Sequence, residues 1–461
     1  MKYKAISVLF ALSATLFAIE IDIPTYEAEL DKIAEQRKIA NSELAVERGI
    51  AVDIKKKEIV LDAITTEITE KGISEFAIIS LNSGHDYEAL FKVYATPTAI
   101  CKAVESLGTK RGRPVDYSSL SFWSKGEHFT ITVRYNGVER PLTDYIFNAE
   151  KNQIMDPITF IYLGAKWNKS DDGKETFAGD SEGPGSIVSM YNEPLSVFDI
   201  PKSAPQGQAY EKSLVSKNVI GKEGEKVEII IRPEERPANA LPRNNDINLL
   251  LTKDGVIINA AEVAISPIDF VKYLNEKKNL KQDTYAQINY SSDVSLTDIA
   301  SFSTLLDSLE VKELIKVESP KEQIYYKAFL PQDGWLKRSD RLAQPLELHL
   351  TKQNDVLTKI LIAIKEIWPD NSESINPILE PKVYDISNPD TIKDVIIQAE
   401  AWKRDLIIDD SVFKNFIATG QAPILVFAPV DLTFNELRMQ LEPFRATHKN
   451  VFVFVGKKIL D

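Results

Sequence analysis

The chain has 461 residues, of which 44% are hydrophobic and 27% charged. That composition excludes collagen-like, mucin-like and disordered architectures and leaves room for about three domains. Its 55 basic and 68 acidic residues give a formal net charge of −13, which with no basic stripe argues against nucleic acid or an anionic membrane as partner. The single cysteine, Cys101, excludes an intrachain disulfide, a Cys-ligated iron–sulfur cluster and a multi-cysteine zinc site.

Lys2 and Lys4 precede an apolar run from Ala5 to Ala18 that stops at Glu20. A charged start followed by a run too short to span a bilayer predicts a signal peptide over 1–18, hence export, with a bacterial periplasm as the expected destination. No later segment is long and apolar enough to cross a membrane. Residues 19–47 read as a charged linker helix, with Leu30, Ile33 and Ala34 on one side between Tyr26 and Ala40.

From residue 48 the pattern turns mixed. Ile59–Leu61 and Phe76–Leu81 read as strands. Thr96 suits an N-cap, Pro97 a first helical position and Gly108 a helix stop. Ile100, Cys101, Val104 and Leu107 recur between them at helical spacing, which makes Cys101 a core residue. Phe129–Tyr135 alternates strictly and runs into Asn136-Gly137, a hairpin signal. Ile158–Tyr162, Ile187–Tyr191 and Val227–Ile231 complete a mixed-sheet domain over 48–232. Proline and charge at 233–244 predict a linker.

The remainder reads as two related units, 245–320 and 321–461. Ile247-Asn-Leu-Leu-Leu-Thr-Lys parallels Leu346-Glu-Leu-His-Leu-Thr-Lys. Val294-Ser-Leu-Thr297 parallels Val430-Asp-Leu-Thr433, and apolar final strands follow near Leu314–Val317 and Val451–Val455. Each unit is expected as a small α/β sandwich, the second carrying an insertion with helices at 391–404 and 411–418. The fold class predicted is α+β, a mixed-sheet N-terminal domain followed by two such units.

Over residues 48–231 the sequence resembles the YdjY-like domain. The resemblance is carried by Gly49-Ile-Ala-Val-Asp-Ile-Lys-Lys-Lys-Glu-Ile-Val60, Gly84-His-Asp-Tyr-Glu-Ala-Leu90, the Pro97–Gly108 helix, Trp167 and Ala178-Gly-Asp-Ser-Glu-Gly183. It implies architecture and export rather than a chemistry. Lys253-Asp-Gly-Val-Ile-Ile-Asn259 and Ile424-Leu-Val-Phe-Ala-Pro-Val-Asp431 resemble the periplasmic domain of ExbD/TolR-like proteins, which implies a protein- or peptidoglycan-facing module. Energy-coupling members of that group carry an acidic transmembrane helix directly before this domain, and the sequence has none there.

Five residues stand out as binding candidates: His85, Glu88, Trp167, Asp180 and Glu182. His85 and Glu88 at i and i+3 suit one face of a helical turn but lack the further His or Cys of a zinc set. The glycine-bent stretch with Asp171, Asp172, Asp180 and Glu182 has calcium-like oxygen chemistry without EF-hand spacing. Asp180 and Glu182, two apart, would point the same way on a strand and make a carboxylate pair. No nucleophile elbow, P-loop or dinucleotide fingerprint is present. Neither a catalytic residue nor a metal or other cofactor is assigned. The sequence reading is an exported, non-catalytic binding or scaffold protein whose partners are envelope proteins or a cell-wall component. The alternative is an exported hydrolase or metal-dependent enzyme using the carboxylates of the first domain.

Overall fold

A computed structural model describes residues 23–116, 123–170, 172–204, 206–220, 222–237 and 239–318. Beyond these it describes 325–329, 342–343, 346–353, 356–363, 366–367, 382–384, 424–442 and 450–455. The signal expected at 1–18 and the helices expected at 391–404 and 411–418 lie outside the described residues.

Eight strands of the first domain close into a mixed barrel. The ring runs Glu58–Thr65, Lys226–Pro233, His128–Tyr135, Phe160–Tyr162, Phe198–Asp199, Ser186–Ser189, Phe76–Ser80 and Ala89–Val93, then returns to Glu58–Thr65 through the pair Ala63–Val93. Two of its pairings are parallel, Val188 with Phe198 and Phe76 with Ala89, and the others are antiparallel. The His128–Tyr135 strand shows why these residues make a barrel wall. Phe129, Ile131 and Val133 are buried while Thr130, Thr132 and Arg134 are only half-buried, the period-two pattern of a strand with one dry face. Register then stacks like on like. Ile229 lies between Leu61 and Val133, and Ile231 between Ile59 and Ile131. All six side chains are buried, each stabilising the barrel by about 1.5–3 kcal/mol before conformational entropy is subtracted.

Ala45–Glu47 and Ile50–Asp53 extend the wall as a ribbon on the Glu58–Thr65 strand. Gly49 turns that ribbon at φ +78°, and a Cβ there would come within 2.8 Å of Tyr94 Cβ, so only glycine fits. The helix expected near Tyr26–Ala40 spans Ile23–Ala40 and lies on the barrel. Leu30 is fully buried against Ile64, and the Arg37 guanidinium bonds both Asp62 oxygens at 2.8 Å and Glu228 at 2.9 Å. The Pro97–Ser106 helix is capped by Thr96, whose hydroxyl accepts the Ala99 N–H at 3.1 Å. Ile100, Cys101 and Val104 are its buried stripe.

The C-terminal region holds two sheets with one strand order. In the first, the Asn244–Thr252 and Gly255–Ile258 hairpin is followed by parallel Asp283–Tyr290 and Lys316–Glu318. In the second, the Leu346–Gln353 and Val356–Ala363 hairpin is followed by parallel Ile424–Ala428 and Asn450–Val455. Tyr325–Phe329 and Lys382–Tyr384 flank it. The expectation of two separate small sandwiches needs correcting. One hydrophobic cluster runs through both sheets, from Leu249 and Leu306 to Val426, Leu437 and Val453. The expected pairing of the helix starts is also shifted. The N-caps are Ser295 and Thr433, so Ser295 corresponds to Thr433 rather than Val294 to Val430. These two caps bridge one another, with Leu296 N–H donating to Leu432 O at 3.0 Å and Phe434 N–H to Val294 O at 2.9 Å. A near-symmetric contact thus joins the two sheets.

Candidate functional site

The five residues singled out in the sequence fall in two places. His85 precedes a short 3-10 turn, Asp86–Glu88, and its Nδ1 lies 2.6 Å from Glu88 Oε1. The ring packs edge-on to Phe76 at 5.4 Å and near Tyr87 at 6.1 Å. The carboxylate therefore orients the imidazole from inside the same turn, since a 3-10 turn brings i and i+3 together.

The other three lie around the Trp167–Lys169 and Glu175–Phe177 hairpin. Trp167 donates Nε1–H to Gly164 O at 2.8 Å, and the Arg111 guanidinium covers its ring at 4.1 Å, a cation–π contact. Asp180 accepts the Thr98 N–H at 2.9 Å. That N–H belongs to the first turn of the Pro97–Ser106 helix, where a carboxylate meets the positive end of the helix dipole. Glu182 accepts from Asn168 Nδ2 at 2.5 Å. Ala178–Asp180 is a 3-10 turn, so Asp180 and Glu182 do not share a strand face.

The two places adjoin, because Ser83 donates its hydroxyl to Pro184 O and Ser80 N–H bonds Gly185 O at 2.8 Å. The His85–Glu88 pair, Asp180 and Glu182 nevertheless keep separate partners. Among the described residues no three His, Cys, Asp or Glu side chains gather as a metal would require. In the acidic loop, Asp172 is used by Ser170 and by the Lys174 N–H.

The densest charge constellation sits elsewhere, at the seam between the barrel and the first C-terminal sheet. Asp283, at the start of a sheet strand, lies 2.7 Å from Arg243 Nε, 3.3 Å from Lys316 Nζ and 3.0 Å from His128 Nε2. Arg243 reaches on to Glu234 at 3.0 Å. The His128 and Lys316 side chains are 1% and 4% exposed. Tyr285, fully buried, donates its hydroxyl to Ser124 O at 3.0 Å. Trp123 donates Nε1–H to Glu310 at 3.2 Å, and Arg113 pairs Glu318 at 2.5 Å. Lys316 lies over both the Tyr285 and Trp123 rings, at 5.1 and 5.6 Å.

Burial of Asp283 by itself would raise its pKa. The His128, Lys316 and Arg243 contacts outweigh that and hold the carboxyl well below its ordinary range. Burial lowers the Lys316 pKa, opposed by Asp283, and lowers that of His128. We therefore take Asp283 as ionised and His128 as the neutral ring, its Nδ1 2.7 Å from the Thr159 hydroxyl. His128 Nε2 makes no hydrogen bond to Asp283 despite its proximity, so Arg243 and Lys316 supply the main compensation. Behind the seam, Asp199 is fully buried. Burial pushes its carboxyl up to about 7, against the hydrogen bonds from Ser124, Asn192 and the Ile200 N–H.

Sequence reading misses this constellation because its members are scattered from 113 to 318 and no local spacing joins them. The one available signal is the placement of single charged residues at strand starts, His128 and Asp283, beside apolar runs.

The closed barrel, its helix and the two flanking loops occupy a continuous stretch of chain. Residues 50–232 match the YdjY domain family. No curated protein matches the chain. The matched stretch thus ends at the last barrel strand, and the charged seam lies at its border with the region that follows. Among the described residues no helix is long and apolar enough to cross a membrane.

Proposed function

We propose that the protein is an exported, non-catalytic scaffold of the bacterial cell envelope. Its YdjY domain holds the C-terminal sheets in one orientation, and those sheets, ExbD/TolR-like in character, present a surface to an envelope protein or a cell-wall component. The observation that carries the reading is the seam. A flexible tether needs no buried charges, whereas Asp283 with Lys316 and Arg243 would lock the two parts at a specific angle. The repeated strand order of the C-terminal sheets supports a duplicated binding module. The apolar run at 5–18 supports export.

The test has two arms. Residues 1–30 fused to a reporter active only outside the cytosol should give signal, and no signal refutes export. The chain lacking residues 1–18, used as micromolar bait in envelope extract, should retain a defined envelope protein or peptidoglycan fragment. Retention of neither refutes the scaffold role. A stoichiometric divalent ion lost on His85→Ala would instead favour the metal-dependent alternative.

A further inference from the structure

The strand, helix and linker that meet beside the seam enclose a cavity of about 330 Å³. Its volume is at the small end of ligand pockets, roughly 300–1,000 Å³. Four segments of the chain build it: the turn at Lys57, the end of the Pro97–Ser106 helix with Lys110, the strand start at Glu127–Phe129, and Pro233, Glu234, Arg236 and Arg243. The chain as a whole is strongly acidic, yet the charge here is inverted. Lys57, Lys110, Arg236 and Arg243 line the cavity against only Glu127 and Glu234.

Glu234 is already engaged by Arg243 at 3.0 Å. Arg236 gives one N–H to Leu241 O, and Arg243 gives two to Glu234 and Asp283, so each guanidinium keeps donors in reserve. Lys57 and Lys110 form no ion pair among the described residues. Every one of these cations donates and none accepts, which selects a ligand made of acceptors.

One effect opposes an anion. The helix ends at the cavity, and a helix C-terminus carries a partial negative charge of about half a unit. Its last carbonyls are partly answered by the N–H groups of Leu107 and Gly108 and by the Ser106 hydroxyl. Four lining cations against Glu127, Glu234 and Asp283, which Arg243 also pairs, leave one net positive charge, more than the partial charge of the helix end.

We infer that this cavity is a binding site for a small multivalent oxyanion, a phosphate or a polycarboxylate, clamped between the YdjY domain and the segment that follows it. The site does not depend on export or on an envelope partner. Because the ligand would touch both the barrel and the linker, its binding ties the two together and raises the melting temperature of the full chain.

Titration calorimetry on the full chain, with inorganic phosphate and separately with citrate in low-chloride buffer, tests this. The expected result is one-site binding of at least one anion with a dissociation constant below about 1 mM, weakening as sodium chloride screens the site. Lys57→Gln/Lys110→Gln should weaken that binding at least tenfold and abolish the anion-dependent rise in melting temperature. Both lysines are exposed, and circular dichroism confirms that the variant is folded. Lys38→Gln/Lys272→Gln, which removes the same charge elsewhere, should leave binding unchanged. Absence of saturable binding by either anion up to roughly 10 mM, equal affinity in the Lys57/Lys110 variant, or an equal loss in the control overturns the site.

Discussion

Replacing Asp283 by alanine removes the carboxylate on which the seam converges. Arg243 keeps Glu234 at 3.0 Å and so retains a counter-charge. Lys316, 4% exposed, keeps among the described residues the Tyr285 hydroxyl at 3.5 Å and two aromatic faces. Removing one partner of a buried ion pair costs about 3–5 kcal/mol. With Arg243 still paired, the low end applies, about 3 kcal/mol, or about 6–12 °C in the transition that includes the seam. The assay is limited proteolysis across 233–244 as a function of urea, because that stretch becomes cleavable when the seam opens. Adding Lys316→Met to Asp283→Ala should recover about 1–2 kcal/mol, since an apolar side chain replaces an uncompensated buried cation. A loss below about 0.5 kcal/mol for Asp283→Ala, or strictly additive effects in the double variant, would refute the argument that the seam is held by this pair.

The remaining predictions concern single groups. Asp199 has its folded pKa raised to about 7, above an unfolded value of about 3.9. Its ionisation therefore opposes folding, so stability should fall as pH rises from about 4 to 7, by up to about 1.4 kcal/mol per unit. Asp199→Asn should flatten that slope in urea titrations at pH 5 and 8, and an unchanged slope would exclude Asp199 as its source. Asp283 acts in the opposite sense. Its depressed pKa supplies stability at neutral pH that is lost as pH drops below about 4, a loss that Asp283→Ala should not show. Burial pushes the Cys101 thiol up to about 12, so a thiol reagent at pH 8 should react only after denaturation; labelling of the native chain within minutes would contradict its placement. Leu30→Ala should free the N-terminal helix from Ile64 at a cost of about 2–3 kcal/mol, read as faster cleavage within residues 23–40.

Local structure was legible wherever a short-range rule governs it. The Thr96 cap with Pro97, the buried Cys101 stripe and the Asn136-Gly137 hairpin all follow from neighbours within a few residues. What needed the third dimension was closure. Nothing near Ala63 or Val93 announces that they pair, and Ala89–Val93 carries no alternation to mark it as a strand, because four of its five residues are buried. The shared core of the C-terminal sheets was hidden for a similar reason. Leu306 looks alike whether its helix serves one sheet or two. The candidate residues were found by composition, so the sequence could identify His85 with Glu88 as a local pair but could not bring Asp283 to His128, 155 residues away in the chain. Chemistry of that kind is assembled by topology, and a list of motifs does not contain it.

The ring of strands also sets a timetable. The Glu58–Thr65 strand cannot gain its Lys226–Pro233 neighbour until some 160 further residues have been made, the separation spanned by the Thr65–Glu225 hydrogen bond. At synthesis rates of about 5–20 residues per second that interval is on the order of 10–30 s. Throughout it the nascent segment has an unfilled hydrogen-bonding edge and cannot complete its core. Late ring closure keeps the leading half unfolded, which suits the export proposed above. The same delay leaves one edge of the strand bearing Ile59, Leu61 and Ala63 open to mispairing.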